Sequence, residues 1–269
     1  MQARQDGITI RGMGIRKSLD TYLPFWFTLL VGILVPFAPV HGIIIRHDVQ
    51  DALYLKEGQK YHCLAHFPMG EGTAISSRWI LTAGHLGMDL IHQMKIGYRP
   101  TVEVGNQEFD IEKVFVYDYF RQMQNDLALV KVKGEISNIQ FPKIYDKRDE
   151  IGKRIVIAGS GDSGTGETGP LKKDQTPRAA SNQIEGADQQ WIWFRFDAPG
   201  SANTTELEGS SGPGDSGGPA FTELNGELYV LGVGSHQRGQ GKQGVYGVLE
   251  YYTRISTYAS WIHNTVSKE

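Results

Sequence analysis

The tetrapeptide Gly-Asp-Ser-Gly occurs twice in the chain, as Gly161 to Gly164 in IVIAGSGDSGTG and as Gly214 to Gly217 in SGPGDSGGPAF. A serine hydroxyl is inert at neutral pH until a base takes its proton, and a histidine acting as that base needs an acid to fix its tautomer. Both partners stand upstream of the second copy. His85 follows the strand-like WILTAG, and Asp126 precedes the strand-like LALVKV. In GPGDSGGP the glycines permit a tight turn, at which the backbone N–H groups of Gly214 and Ser216 can aim at one point while the Ser216 hydroxyl projects beside them. That combination is an oxyanion hole next to a nucleophile.

The first copy reads differently. Within GSGDSG it also fits the G-x-G-x-x-G pattern of a dinucleotide site, which requires a helix to open at the glycines so that N–H groups and the helix dipole meet a pyrophosphate. TGETGPLKKD follows instead, with Gly166, Gly169 and Pro170 where the first helical turns would lie. No cofactor is expected, and Ser163 is read as a solvated turn residue within the loop GSGDSGTGETGPLKKDQTPRAA. His62 and His66 flank Cys63 in HCLAH, but no second cluster supplies the remaining ligands of a metal site, so no metal is assigned.

The elements that must position these residues are short strands. The chain has 269 residues, of which 40% are apolar, 33 are glycine and 11 are proline. Runs such as TAISSRWILTAG, MKIGY, EFDIEKVFVYDYF, DLALVKV, KRIVIAG, QWIWFRFD, ELYVLGVGS and GVYGVLEYY alternate or stay apolar between turn residues. This spacing favours an all-β fold of closed antiparallel barrels. Only STYASWIHNTVSKE reads as helical, with a Ser/Thr cap and Tyr258, Trp261, Ile262 and Val266 near one face. A net charge of −3 with no basic stripe excludes nucleic acid as a partner class.

Residues 1–42 have the order of an export signal, with Arg4, Arg11, Arg16 and Lys17 before the apolar run TYLPFWFTLLVGILVPFAPV and short residues at Val40 and Gly42. A cleaved signal peptide and a secreted product are expected; an uncleaved anchor is the alternative and the one route to a membrane. The first 42 residues carry four basic and two acidic side chains, so residues 43–269 carry −5. With Cys63 as the single cysteine, an exported chain has no internal disulfide.

Three ordered segments, Thr82-Ala83-Gly84-His85, Asp126-Leu127-Ala128-Leu129 and Gly214 through Pro219, resemble the hallmarks of the trypsin/chymotrypsin-like serine proteases. The intervals agree too, with 41 residues from His85 to Asp126 and 90 from Asp126 to Ser216, whereas Ser163 would leave 37. The resemblance runs from about residue 43 to 266 and implies two antiparallel Greek-key β-barrels packed face to face, approximately 43–140 and 141–252, followed by a C-terminal helix. It also implies a monomeric endopeptidase acting on protein or peptide substrates by acyl transfer. Ser216 would be the nucleophile, His85 the base and Asp126 its orienting acid, with Gly214 and Ser216 N–H holding the oxyanion. Activity should then rise with pH around 6.5 to 7 as the base becomes neutral. An inactive binding protein on the same fold is the other class of function considered.

In relatives the floor of the primary pocket lies six residues before the nucleophile, which here is Ser210. A neutral floor implies preference for large neutral side chains. Ser235 matches the serine that supports the acid, His236 the residue lining the substrate, and Gly244 the pocket wall. The resemblance also implies that a freed Ile43 amine pairs with Asp215, so that signal-peptide removal itself activates the enzyme; an internal partner such as an arginine is the alternative. Leu86 stands where a cysteine usually follows the histidine, the pattern of a bacterial-type member. Glu103 and Glu108 lie where some relatives bind calcium and read more simply as surface charges.

Overall fold

The computed structural model describes residues 42–269 apart from 119, 120, 122, 173, 174 and 240. The expected signal segment up to residue 41 lies outside the described residues. Among the described residues the elements run β1 (Ile44–Ile45), α1 (Asp51–Gly58), β2 (Leu64–Phe67), β3 (Gly70–Ser76), β4 (Trp79–Thr82), α2 (Gly84–Lys95), β5 (Thr101–Val104), β6 (Gln107–Val116) and β7 (Ala128–Val132). There follow β8 (Lys143–Ile144), β9 (Arg154–Gly159), β10 (Ser163–Thr165), β11 (Gly169–Lys172), β12 (Arg178–Gln183), β13 (Gly186–Ala187), β14 (Trp191–Arg195) and β15 (Gly209–Ser210). The last are β16 (Pro219–Leu224), β17 (Glu227–Arg238), β18 (Leu249–Arg254) and α3 (Ile255–Lys268).

Strands β2 to β7 close into a six-stranded barrel in the order β2-β3-β4-β7-β6-β5. Alternation decides which side chains fill it: in β6, Phe109 and Ile111 point inward and meet Val102, Val104, Val130 and Val132. Strands β4 and β7 are instead buried along their whole length. Their second face, with Leu81 and Leu129, packs on Phe221, Val230 and Val233 of the C-terminal half and on Ile255, Tyr258 and Ile262. A strand covered on both faces reads as a continuous apolar run, as WILT and LALV do.

The C-terminal half is an open half-barrel sheet in the order β12-β9-β16-β17-β18-β14-β13, with β8 paired in parallel to β17. A four-stranded sheet, β11-β10-β1-β15, sits beside it. Although they precede the barrel strands in sequence, Ile43 and Ile45 are buried in the core of this half with Ile155, Ile157 and Phe194.

Four local expectations are corrected. Ser163 is not a solvated turn residue: it is 6% exposed and opens β10, which pairs in parallel with β1 through Ile44 opposite Gly164. A two-residue strand more than a hundred residues upstream supplies that partner, so the local loop composition does not disclose it. Met94 and Lys95 of the expected strand MKIGY finish α2, whose Leu86 and Leu90, four apart, are buried. Helix α1 likewise lay under no expected element, and α3 starts at Ile255, ahead of the Ser/Thr cap.

Candidate active site

The antiparallel register brings His85 and Asp126 to one end of the barrel. Thr82 of β4 pairs with Ala128 of β7, so the histidine three residues past one and the aspartate two before the other emerge together. Helix α2 begins at Gly84, with Gly87 N–H bonded to Ala83 O at 3.0 Å, which fixes the His85 backbone in its first turn. A second antiparallel pair positions the serine: Pro219 of β16 lies opposite Val233 of β17, placing Ser216 and Ser235 at the same edge.

Asp126 is fully buried and its carboxylate is completely engaged. It accepts the His85 backbone N–H at 2.8 Å, faces His85 Nδ1 at 2.9 and 3.2 Å through its two oxygens, and accepts from Ser235 Oγ at 2.6 Å. Because the carboxylate only accepts, Nδ1 must carry the proton of the neutral imidazole, leaving Nε2 with its lone pair. Thr253 Oγ1 donates to Asp126 O at 2.8 Å, tying β18 to the barrel at this point. Sequence reasoning anticipated Ser235 here and missed Thr253.

Ser216 is partly exposed and held through its carbonyl, which accepts from Glu71 N at 2.7 Å. A Cβ on the next residue, Gly217, would clash with Thr82 Oγ1 and fall 2.9 Å from Leu86 Cδ1, so this turn abuts the residues that bracket His85. Among the described residues no hydrogen bond joins Ser216 Oγ to His85 Nε2; such bonds are commonly long in a protease without substrate. The turn needs Gly214 at φ +97 and Gly217 at φ +84, values a side chain rarely adopts. Its amides divide cleanly. Asp215 N bonds Gly212 O, Gly217 N bonds Gly234 O and Gly218 N bonds Asp215 O, at 3.0, 2.8 and 3.0 Å. The N–H groups of Gly214 and Ser216 donate to no acceptor among the described residues, and Gly214 is exposed.

Asp215 turns inward, 2% exposed. Its carboxylate accepts from Gly161 N at 2.6 Å, Gly212 N at 2.7 Å and Ile43 N at 3.3 Å. Burial, with the neighbouring Glu71 charge, pushes its pKa up to about 7 against these N–H donors. Glu71 was not anticipated: it is buried, bonded to Ser160 N at 3.1 Å and to Ser160 Oγ, and paired with His66 Nδ1 at 2.8 Å. Burial draws the His66 pKa down, but the Glu71 carboxylate outweighs it and the net shift is upward. A Glu between two glycines gave no signal for this role. A cavity of about 930 Å³ borders Glu71, Ser160, Gly161 and Gly214, leaving room along the exposed side of the turn.

On the other side, Ser210 is fully buried and donates to Glu250 Oε1 at 2.5 Å. Gly244, at φ +65, donates its N–H to Gln237 Oε1 at 3.0 Å. His236 stacks on Tyr251 with ring centroids 5.0 Å apart and meets the Trp191 edge at 5.0 Å; burial, then Arg238, lowers its pKa. Cys63 is buried and its thiol is pushed up to about 12 by burial. Glu103 and Glu108 face one another across the β5–β6 hairpin, where Thr101 Oγ1 donates to Glu108 at 2.6 Å.

Residues 50–262 match the family model described as Trypsin. The chain is similar to Melanization protease 1 of Drosophila melanogaster, 26% identical over 224 residues that cover 72% of this chain and 53% of that protein. It is 27% identical over 232 residues to CLIP domain-containing serine protease B4 of Anopheles gambiae, covering 72% of this chain and 61% of that protein. Trypsin-4 of Rattus norvegicus is 26% identical over 238 residues, 82% of this chain and 87% of that protein. The chain therefore spans little more than half the length of the two insect proteins and most of the rat one. With that match covering most of the sequence, and with the closed barrel, half-barrel sheet and C-terminal helix in place, the chain belongs to the trypsin family of serine proteases.

Proposed function

We propose that the protein is an active, exported serine endopeptidase whose triad is Ser216, His85 and Asp126. The observation that carries this reading is the buried Asp126 carboxylate, which holds His85 Nδ1 at 2.9 Å and is braced by Ser235 at 2.6 Å. A buried carboxylate so engaged presents Nε2 as a base. Ser216 Oγ attacks the substrate carbonyl carbon while His85 Nε2 takes its proton. The N–H groups of Gly214 and Ser216 hold the developing oxyanion, each such donor contributing on the order of 10²- to 10³-fold in rate. Collapse breaks the C–N bond, with His85 returning the proton to the leaving amine. Water then attacks the acyl-enzyme by the same route and releases Ser216.

Cleavage after Gly42 would turn the Ile43 amide into an ammonium beside Asp215. Two observations support this step: the 3.3 Å contact from Ile43 N to Asp215 Oδ2, and the Ile43 backbone at φ +65, a costly conformation for a β-branched residue. Once the preceding peptide is gone, that constraint disappears. No helix among the described residues is long and apolar enough to cross a membrane. The test is hydrolysis of an unstructured protein substrate by the secreted protein. Turnover that vanishes in both Ser216→Ala and His85→Ala with the melting curve unchanged supports the reading; no turnover in the processed wild-type protein, or turnover surviving Ser216→Ala, refutes it.

A further inference from the structure

Glu71, on β3, is 2% exposed and takes part in no step of the chemistry above, yet each of its polar groups is engaged with a segment of the site. Its backbone N–H donates to Ser216 O at 2.7 Å, and its carbonyl accepts from Thr82 Oγ1, three residues before His85, at 2.6 Å. Any residue could supply those two backbone bonds. The carboxylate has a different partner: Oε1 accepts from Ser160 N at 3.1 Å and from Ser160 Oγ. Oε2 lies 2.8 Å from Nδ1 of His66, the residue opposite Glu71 in the β2–β3 register. Ser160 Oγ and His66 Nδ1 are themselves 3.0 Å apart, so the three side chains close a triangle. A buried carboxylate persists where hydrogen bonds and a counter-charge meet it, and Ser160 and His66 supply them.

The segment this carboxylate holds is the one that seats Asp215. Gly161 N–H donates to Asp215 Oδ1 at 2.6 Å. A Cβ on Gly159 would clash with Asp215 Oδ1, and one on Gly161 would fall 2.6 Å from Pro213 O and 2.7 Å from Asp215 N. Both glycines thus lie against the Asp215 turn with no side chain of their own. Ser160 between them carries the only side chain that can anchor the segment, and it ends on Glu71. Asp215 in turn stands between Gly214 and Ser216, so a shift of Gly161 reaches both oxyanion amides through one peptide unit on either side.

The geometry points to Glu71 as the positioning residue of the oxyanion hole. Through Ser160 it fixes Gly161 against Asp215, and through its own N–H it fixes Ser216, aligning the two amides without touching substrate. The inference rests on the Ser216 reading above. Its signature is selective, because the contacts that hold His85 on Asp126 include no atom of Glu71.

Sulfur accepts a hydrogen bond more weakly than oxygen, so the advantage of an ester over its thionoester reports on the oxyanion donors. The processed full chain is assayed on a panel of N-acetyl amino acid methyl esters, and the best of them is compared with the thionoester of the same acid. Glu71→Ala is expected to lower kcat on the ester by on the order of 10²-fold with KM within about threefold, and to shrink the ester-to-thionoester ratio of kcat/KM by at least about tenfold. Asp126→Asn should slow both substrates alike and keep the ratio. Ser160→Ala should shrink the ratio severalfold, which decides the matter if Glu71→Ala does not fold. Glu71→Gln, whose Oε1 still accepts from Ser160, should restore most of it. A ratio within about twofold of wild type in Glu71→Ala, or in Ser160→Ala, overturns the proposal and leaves the protease reading intact, since a fold that is merely weakened loses both substrates in proportion. A Glu71→Gln protein as impaired as Glu71→Ala also overturns it. A processed wild type that hydrolyses none of the esters refutes the protease reading and the positioning role with it.

Discussion

The backbone N–H of Gly161 donates to the carboxylate of Asp215 at 2.6 Å, so the two Gly-Asp-Ser-Gly stretches meet in the folded protein. A second contact, Asp162 N to Pro213 O at 2.6 Å, runs alongside it. The first copy is therefore part of the wall that seats the second: its serine opens β10, and its glycine helps keep Asp215 turned away from Ser216. The amides of Gly214 and Ser216 keep no acceptor among the described residues.

Replacing the acid should separate geometry from chemistry. Asp126→Asn is expected to lower kcat by about 10⁴-fold, the loss known for triads of this type, because the amide stabilises the wrong imidazole tautomer. Ser235→Ala removes one donor from the same carboxylate and should cost about 1–3 kcal/mol, roughly five- to 150-fold in kcat. Steady-state kinetics on the two variants check the order; an Asp126→Asn enzyme as active as Ser235→Ala contradicts it.

The charge state of Asp215 predicts a pH dependence of stability in protein whose Ile43 is still acylated. Its folded pKa of about 7 lies above the ordinary 3.8, so between these values the folded state binds more protons than the unfolded state. Stability from this group is then fully present below about pH 4 and declines as pH rises through 7, at roughly 1.4 kcal/mol for each pH unit within that window. Melting temperatures of wild type and Asp215→Asn, compared from pH 4 to 8, should show the wild type losing ground as pH rises. A constant difference would contradict the assignment.

Leu81 is fully buried in the cluster shared by the barrel, the C-terminal sheet and α3. Leu81→Ala should destabilise the protein by about 2–5 kcal/mol, measured by chemical denaturation. A loss below about 1 kcal/mol would mean that the two halves do not depend on this contact.

Processing at Ile43 has a direct readout. Mass analysis of the active secreted form should place its first residue at Ile43, and a form extended by even one residue should be inactive, since the amine would no longer lie at Asp215. An active form beginning well upstream or downstream excludes the mechanism.

The barrel strands were legible because they depend on local pattern. WILT and LALV read as strands, and the register of β4 on β7 then brings His85 to Asp126. What escaped depends on partners distant in sequence. Ser163 is buried in β10, which lies between β1 and β11, and helix α2 hides in a stretch whose Ile and Met read equally well as strand. Glu71 and Glu250 lie among glycines or aromatics that read as ordinary strand, and their importance comes from what the fold sets opposite them. A single buried carboxylate carries no periodic signal.

The most direct test of the central claim is peptide mapping of the processed protein after reaction with a fluorophosphonate, which modifies only a serine whose hydroxyl is activated by a neighbouring base. One phosphonyl adduct on Ser216, absent in His85→Ala and unaffected by Ser163→Ala, is the predicted result. An adduct on Ser163, or none on either serine, would contradict the account.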